Sequence, residues 1–573
     1  MTRLDKSDLR KALADLPFTA ADRAVARHLQ NHRNESNTWI LFAAALAHAA
    51  AREGHTYLDL ADPQNYARCS LRSSHFWPEL EYWKRWRKGS SSLGNADDIA
   101  PLVLENENAL YLRKYFNHEC ALAKLLTGKM NEIEKRAPLV SSGEAVIDQA
   151  LATSFFVITG GPGTGKTTLA LRYLDAFLDQ WTQVLPPRIA AVAPTGKAAA
   201  RLEETIRNGI ERLDSSEERK ALLAATPCLT IHRLLGVLPH RASFRKDERR
   251  KVDYDLLVID ESSMIDLPLM RRLFEATPEN CSLMLMGDKD QLASVDVGTV
   301  LHDLLKAGEN ESSLLSKRIH KLTKSYRFSE DSTIYRCCEA ARNGDLAGLQ
   351  KLLAETCDDF SFFPVKEGER KLSNRLIEKA ITRRKSLLEC GSAQEALQAI
   401  TASTILAPTR VGPFGTYAIN AESMRRIQEN EYLEPNQPVH GCPIIVLENN
   451  YELELFNGDL GILWADEEKR IHAWFNSSDG GCKKVRLSEL PRHETAFALT
   501  IHKSQGSEFD ETIVVLSPND SGNLTRELIY TAFSRAKTKL ELHAYPKVLE
   551  TAIKRQVKRA TLLEERILAN KRT

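Results

Sequence analysis

The sequence is short of net charge, of paired cysteines, of repeats and of long apolar runs, and each shortage removes a class of protein. Lys and Arg number 78 against 77 Asp and Glu, a formal net charge of +1 over 573 residues, so any contact with a polyanion has to come from local basic surface. The ten cysteines are scattered; Cys337 and Cys338 are adjacent and no C-x-x-C occurs. Zinc ribbons and thioredoxin-like redox sites therefore lack support, and a disulfide framework is not expected. The longest apolar stretch near the start, Trp39 to Ala51, is interrupted by His48 and is too short to span a bilayer. The segment with Arg3, Asp5, Lys6 and Asp8 lacks the apolar region of a signal peptide. A cytoplasmic protein without a membrane partner is the expectation, and no solenoid-period repeat or low-complexity tract qualifies it.

What is present is an ordinary globular composition, 43% apolar and 27% charged, with chain enough for about three or four domains. Residues 1–120 read as a mostly helical partner-binding unit: Ala20 to Gln30 and Ile40 to Arg52 have helical apolar spacing, and the unit ends in a predicted hairpin, Pro101-Leu-Val-Leu-Glu105 with Ala109-Leu-Tyr-Leu-Arg113. Between them lies the cluster Trp77, Tyr82, Trp83, Lys84, Arg85, Trp86, Arg87 and Lys88. It suits a nucleic acid or a partner protein, and equally a helix with core tryptophans and a basic outer face.

From Ala121 short apolar strands alternate with helices, the pattern of an α/β fold with mostly parallel sheets. Strands are predicted at Phe155 to Thr159, Ile189 to Pro194, Leu256 to Asp260 and Leu283 to Gly287, and in a second run at Thr404 to Pro408, Glu511 to Ser517 and Leu540 to Tyr545. Two P-loop-type domains follow, 121–330 and 331–573. The second is interrupted at about 441–490 by strand-like pieces and the turns Asn457-Gly458-Asp459 and Asp479-Gly480-Gly481, read as a small inserted SH3-like β-barrel.

Gly160-Gly161-Pro162-Gly163-Thr164-Gly165-Lys166-Thr167 fits G-x-x-x-x-G-K-[ST] between a predicted strand and a predicted helix. Glycines let the backbone amides curl around a phosphate and the helix N-terminus adds positive dipole; Lys166 bridges β- and γ-phosphates and Thr167 ligates Mg²⁺, with Thr168 following in the ATP-binding turn. Tyr254-Asp-Leu-Leu-Val-Ile-Asp260-Glu261 is an apolar strand delivering two acids, Asp260 for the Mg²⁺ shell and Glu261 to orient and deprotonate water, which points to a hydrolase. Gln291 ends another strand and is placed to sense the γ-phosphate. Arg327 and Arg535 are candidates for charge stabilisation on the transferring phosphoryl group.

In order, these segments resemble the superfamily 1 helicases, and within them the RecD-type branch of subgroup B. The matching blocks add Ala193-Pro-Thr-Gly-Lys-Ala-Ala-Ala-Arg201, Leu229-Thr-Ile-His-Arg233, Ser325-Tyr-Arg-Phe328, Phe456-Asn-Gly-Asp459, Leu499-Thr-Ile-His-Lys-Ser-Gln-Gly-Ser-Glu508 and Tyr530 to Ala536. The resemblance implies two RecA-like domains that clamp ATP and walk 5′ to 3′ along single-stranded DNA. It gives Lys166, Asp260, Glu261, Gln291, Arg327 and Arg535 the roles just stated. It lays Pro194, Thr195, Thr230, His232, Thr500, His502 and Lys503 along the strand, and His232 and His502 have a rival reading as loop cores. It also implies RecB-like and RecC-like partner subunits in a heterotrimer acting on the ends of double-stranded DNA, with residues 77–86 as the docking surface. One departure is the upstream glutamine that reads adenine: the corresponding stretch is Ser141-Ser-Gly-Glu-Ala145, and Gln149 lies too close to the strand to serve. A self-sufficient or RNA helicase, and a scaffold with a decayed ATPase, are the alternatives. A nuclease would need an acid cluster outside the ATPase motifs.

Overall fold

The computed structural model describes residues 18–62, 77–131, 141–238, 243–329, 331–355, 357–435, 437–450, 452–477, 481–520 and 522–570. Among these no helix is long and apolar enough to cross a membrane. The N-terminal unit wraps helix Ala20–His32 and a four-stranded sheet around helix Thr38–Arg52. That helix is alanine-rich and buried along most of its length from Ile40 to Ala51, so its neighbours approach closely on every side. The sheet comprises β1 (Tyr57–Asp59), β2 (Leu93–Gly94), β3 (Leu102–Glu105) and β4 (Ala109–Leu112) in the order β1-β4-β3-β2, with β3 and β4 forming the predicted hairpin.

Asp22 locks this unit. It is fully buried, closes a capping box with Thr19, and its two oxygens accept from Arg52 Nε at 2.9 Å and Nη2 at 2.7 Å, with His48 Nδ1 at 2.7 Å. Burial pushes the carboxyl up, but the hydrogen bonds from Arg52, His48 and Thr19 outweigh it and hold it at about 2. Asp22→Ala removes a fully buried carboxylate and its hydrogen bonds from Arg52, which is itself solvent-exposed, and from His48, and is expected to cost about 2 kcal/mol, read by thermal unfolding. Because the folded value lies below the ordinary 3.8, the contribution of Asp22 is full above about pH 4 and is lost as pH falls through about 2; a wild-type and mutant stability gap that stayed constant from pH 6 to pH 2 would contradict it.

The tryptophans face inward. Trp83 has no exposure and packs against Trp77 and Trp86 at centroid distances of 5.5 and 5.2 Å, and Trp77 Nε1 donates to Leu60 O at 2.7 Å. Of the expected docking surface around Trp77 to Trp86, Trp83 is therefore core, Trp77, Tyr82 and Trp86 are half-buried, and the residues that helix Leu80–Arg87 exposes most are Glu81 and Arg85. The predicted break at residue 120 is also absent: helix Arg113–Asn131 runs unbroken through it, and its Leu122, Ala123, Leu126 and Met130 join the core of the next domain.

That domain is a six-stranded sheet of β5 (Phe155–Gly160), β6 (Ile189–Ala193), β7 (Cys228–Thr230), β8 (Leu256–Ile259), β9 (Ser282–Gly287) and β10 (Ile319–Leu322), ordered β10-β5-β9-β8-β6-β7. All pairs are parallel. The central strands are buried along their whole length, as a sheet covered by helices on both faces requires.

The second domain repeats the plan with β11 (Phe360–Pro364) and β12 (Ser403–Ala407). An insertion follows, β13 (Cys442–Val446), β14 (Leu460–Ala465), β15 (Ile471–Asn476), β16 (Cys482–Val485) and β17 (His493–Thr495), before β18 (Ala498–Thr500), β19 (Phe509–Val515) and β20 (Ala536–Ala544) complete the parallel sheet β11-β20-β19-β12-β18. The insertion is antiparallel, ordered β16-β15-β14-β13-β17. No pairing joins β16 to β17 among the described residues, so the expected barrel is an open sheet, and β17 lies beyond the expected limit of 490. Of the turn at 479–481, Asp479 and Gly480 lie outside the described residues.

Two segments of the second domain, one within helix Asn374–Leu388 and one after residue 555, turn some of their arginines inward. In the first, Arg383 donates to Ala496 O at 3.0 Å and Ile400 O at 2.8 Å, and Arg384 to His440 O at 2.8 Å, which fastens the insertion to helix Asn374–Leu388. In the second, the chain leaves the second domain after residue 555 and straps the others. Arg559 donates to the carbonyls of Ser294, Asp296 and Gly298, Arg566 pairs with Glu105 and Glu119, and Leu563 and Ile567 enter the first domain's core.

Candidate active site

In both parallel sheets the strands end toward the same cleft, the end at which such sheets place ligands. The loop 160–165 leaves β5 and feeds helix Lys166–Asp179. Gly163 and Gly165 have φ of +71° and +84°, which L side chains rarely adopt. Gly163 is further constrained by space: a Cβ there would lie 2.4 Å from Arg327 Cβ. Lys166 Nζ is pinned over the loop by the carbonyls of Gly160 and Gly161 at 2.7 and 2.9 Å, and Thr164 Oγ1 donates to Gly161 O at 2.8 Å.

A cavity of about 370 Å³ opens above this loop. Its lining unites Pro162 to Thr168 with Asp260, Glu261, Gln291, Arg327 and Arg535, so the structure brings together nearly all the residues assigned to ATP chemistry from sequence. Asp260 directly follows β8; burial and the adjacent negative Glu261 raise its pKa, the electrostatics of a site suited to a divalent cation. Glu261 stands in the left-handed region, φ 50° and ψ 39°, with its amide donating to Asp260 Oδ1 at 2.8 Å.

The far wall comes from the second domain. Arg535, 2% exposed, donates to Ser507 O at 3.1 Å, Thr531 O at 3.2 Å and Gln291 Oε1 at 2.7 Å. Gln291 Nε2 in turn donates to Asp288 Oδ2 at 3.2 Å, which also accepts from Tyr530 OH at 2.9 Å. Glu508 Oε1 accepts from both Arg201 and Arg327. Burial pushes the Glu508 carboxyl up, yet the two guanidiniums hold it at about 2. Arg327 Nη1 is buried beside the cavity without a hydrogen-bond partner, an uncommitted donor at the place where phosphate charge is expected. Arg201, Asp288, Glu508 and Tyr530 received no role from sequence. Arg201, Glu508 and Tyr530 stand inside the quoted blocks, and Asp288 beside Gln291, but nothing in a linear pattern says which side chains meet across a cleft.

The residues assigned to DNA lie on the sheet edges. Pro194 and Thr195 follow β6, Thr230 ends β7 with His232 just beyond it, and Thr500 ends β18 with His502 and Lys503 just beyond it. His232 and His502 are exposed, against the reading of them as loop cores. Gln149 Nε2 donates to Lys317 O at 2.6 Å and does not line the cavity.

Comparison with known proteins adds the following. Residues 17–111 match the family described as RecBCD enzyme subunit RecD, N-terminal domain; residues 143–297 match an AAA domain and residues 495–542 a UvrD-like helicase C-terminal domain. The chain is 34% identical to the RecBCD enzyme subunit RecD of Mycobacterium tuberculosis over 96% of its own length and 94% of that protein's. It is 29% identical to the ATP-dependent RecD2 DNA helicase of Deinococcus radiodurans, over 83% of this chain and 61% of that one. Bacteroides Pif1 bound to ssDNA aligns with a TM-score of 0.37 at 18% identity, covering 74% of this chain and 93% of that chain.

Proposed function

The chain belongs to the RecD family and is an ATP-dependent helicase, and from that premise we propose that it moves 5′ to 3′ along single-stranded DNA as one motor of a cytoplasmic RecBCD-type complex. In this reading RecB-like and RecC-like subunits hold it at the ends of double-stranded DNA, in break repair and recombination. The observation that carries it is the bonding across the cleft: Arg535 to Gln291 at 2.7 Å, Tyr530 to Asp288 at 2.9 Å, and Glu508 to Arg201. Every one of these pairs joins a group at the nucleotide cavity to the opposite domain. Hydrolysis therefore changes the contacts that hold the domains together, and the domains carry the DNA loops with them.

ATP fits the cavity through the loop amides, Lys166 and the unpartnered Arg327 Nη1. Magnesium would be held by the Thr167 hydroxyl and the Asp260 carboxylate, an all-oxygen set of the kind it prefers, and would neutralise phosphate charge. Glu261 then orients and deprotonates water, Gln291 senses the γ-phosphate, and Arg327 and Arg535 stabilise the charge that builds on it. Thr195, Thr230, Thr500 and the loop amides around them hold backbone phosphates, which positions the strand without reading its sequence.

The test is unwinding of duplexes bearing a 5′ or a 3′ single-stranded tail, by the chain alone and assembled with its partners. Unwinding from the 5′ tail only, lost in Lys166→Gln, is expected; unwinding from the 3′ tail would refute the polarity, and DNA-independent ATPase with no unwinding in the assembled complex would refute the motor.

A further inference from the structure

A second cavity lies back to back with the nucleotide cavity. It measures about 360 Å³, close to the 370 Å³ of the first, and the loops after β8 and β9 form the partition between them. After β8, Asp260 and Glu261 line the nucleotide cavity and Ser263 lines the second. After β9, Asp288 lines the nucleotide cavity, Lys289 and Asp290 line the second, and Gln291 lines both. The outer walls come from both ATPase domains and the strap after residue 555: His302 and Lys306 on helix Val300–Gly308, Arg342 near the end of helix Thr333–Asn343, Arg526 at the start of helix Arg526–Phe533, and Lys558.

Glu261, Gln291 and Arg535 mark the end of the nucleotide cavity at which the γ-phosphate is cleaved in the reading given above. A phosphate freed there has the β-phosphate of ADP on one side, held by the loop amides and Lys166, and Gln291 on the other. The two products are both anions and repel at that distance. Behind Gln291 the surroundings suit an anion. Ser263 Oγ is buried without a hydrogen-bond partner among the described residues, a hydroxyl with a hydrogen to give, and Lys289, Arg342, Arg526 and Lys558 lie beyond it. These cations are set among acids: Lys289 lies 3.2 Å from Asp290, Lys306 2.7 Å from Glu564 and Arg342 2.6 Å from Glu339, and Asp303, Glu527 and Glu565 share the lining. A lining so balanced lets a phosphate through without holding it.

We infer that the second cavity is the path by which inorganic phosphate leaves, with the Gln291 side chain as its gate. This rests on the roles proposed above for Lys166, Glu261 and Arg535. Gln291 is 7% exposed and is held from both sides: its Oε1 accepts from Arg535 of the opposite domain at 2.7 Å, and its Nε2 donates to Asp288 at 3.2 Å. Separation of the domains withdraws Arg535 and frees the amide end of Gln291. Phosphate then passes Ser263 and Lys289 and reaches solvent beside Lys558, an exposed residue, while ADP is still on the loop. Phosphate therefore leaves first, when the domains part, and ADP second, through the mouth of its own cavity. Loss of phosphate is thereby tied to the movement of the domains rather than to the cleavage step.

The experiment times phosphate release by stopped flow with a fluorescently labelled phosphate-binding protein, and cleavage by chemical quench, in the full chain saturated with oligo(dT). His302 is exposed on its helix and lines the second cavity only, so His302→Trp narrows the path from a position with no part in ATP binding. It is expected to slow phosphate release roughly tenfold with the cleavage rate unchanged. It is also expected to raise oxygen exchange with isotopically labelled water, since a detained phosphate re-forms ATP before it escapes; His302→Ala is expected to behave as wild type. Lys558→Glu is expected to slow release about threefold, more at low salt than at high. Release at the wild-type rate in both His302→Trp and Lys558→Glu, or a slowing matched by an equal slowing of cleavage with no added exchange, would overturn the exit and send phosphate out past ADP. Cleavage that ignores oligo(dT) in the wild-type chain, both alone and in its complex, would overturn the motor reading whatever the release rates.

Discussion

Glu261→Gln is expected to lower steady-state ATP hydrolysis by roughly 10²–10⁴-fold, the usual contribution of a positioned general base, while ATP still binds. Glutamine keeps the shape and an acceptor oxygen but cannot take a proton from water. The backbone supports so specific an effect. Glu261 occupies the left-handed region at φ 50°, a conformation costing of order 1–3 kcal/mol for a residue with a side chain and kept where surrounding structure enforces it. Here the Asp260 carboxylate accepts the Glu261 amide at 2.8 Å, so the acid proposed to hold magnesium also orients the backbone of the proposed base. Phosphate release at saturating ATP measures the loss, and binding of a fluorescent ATP analogue measures what is kept. A fall smaller than tenfold would move water activation to another group.

Arg535→Ala is expected to lower kcat by about 10³–10⁵, the range for an arginine that stabilises phosphoryl-transfer charge. Its guanidinium is fixed before any substrate arrives, by Ser507 O, Thr531 O and Gln291 Oε1, so little reorganisation is left for the transition state. The three partners are met by three separate nitrogens of a planar fork, Nε, Nη1 and Nη2, a spread that lysine's single compact ammonium does not span, and Arg535→Lys is expected to lose nearly as much. Because Arg535 and Gln291 act as one unit, the double variant Gln291→Ala/Arg535→Ala is expected to be no slower than Arg535→Ala alone. Truncation also leaves buried acceptors unpaired, at about 1–3 kcal/mol, so turnover has to be compared below the melting temperature of both proteins. Additive losses in the double variant would show that the two side chains act separately.

How much was legible in the sequence depended on whether a feature is local. The loop after β5, the acids after β8 and the central strands are runs whose chemistry and period are complete within a few residues. The edge strand at Ile319–Leu322 is not evident because His320 and Lys321 leave it only half apolar, and that at Phe360–Pro364 because five residues closed by a proline are too short a run to read a period from. The tryptophan cluster was ambiguous for a physical reason: an amphipathic helix looks the same whether its aromatic face meets a core or a partner, and only the packing of Trp83 on Trp77 and Trp86 decides. The cross-cleft pairs were invisible, since Arg201 and Glu508 are 307 positions apart and Tyr530 and Asp288 are 242.

The strap formed by residues after 555 bears on how the protein is made. Leu563 and Ile567 belong to the same core as Leu122, Phe155 and Leu257, and Ala560 O accepts the amide of Thr56 at 2.8 Å. On the ribosome, where N-terminal parts emerge first, the first ATPase domain and the N-terminal unit cannot close their cores while the second domain is being translated. Their apolar surface beneath Leu563 and Ile567 stays uncovered until residues 556–570 have emerged.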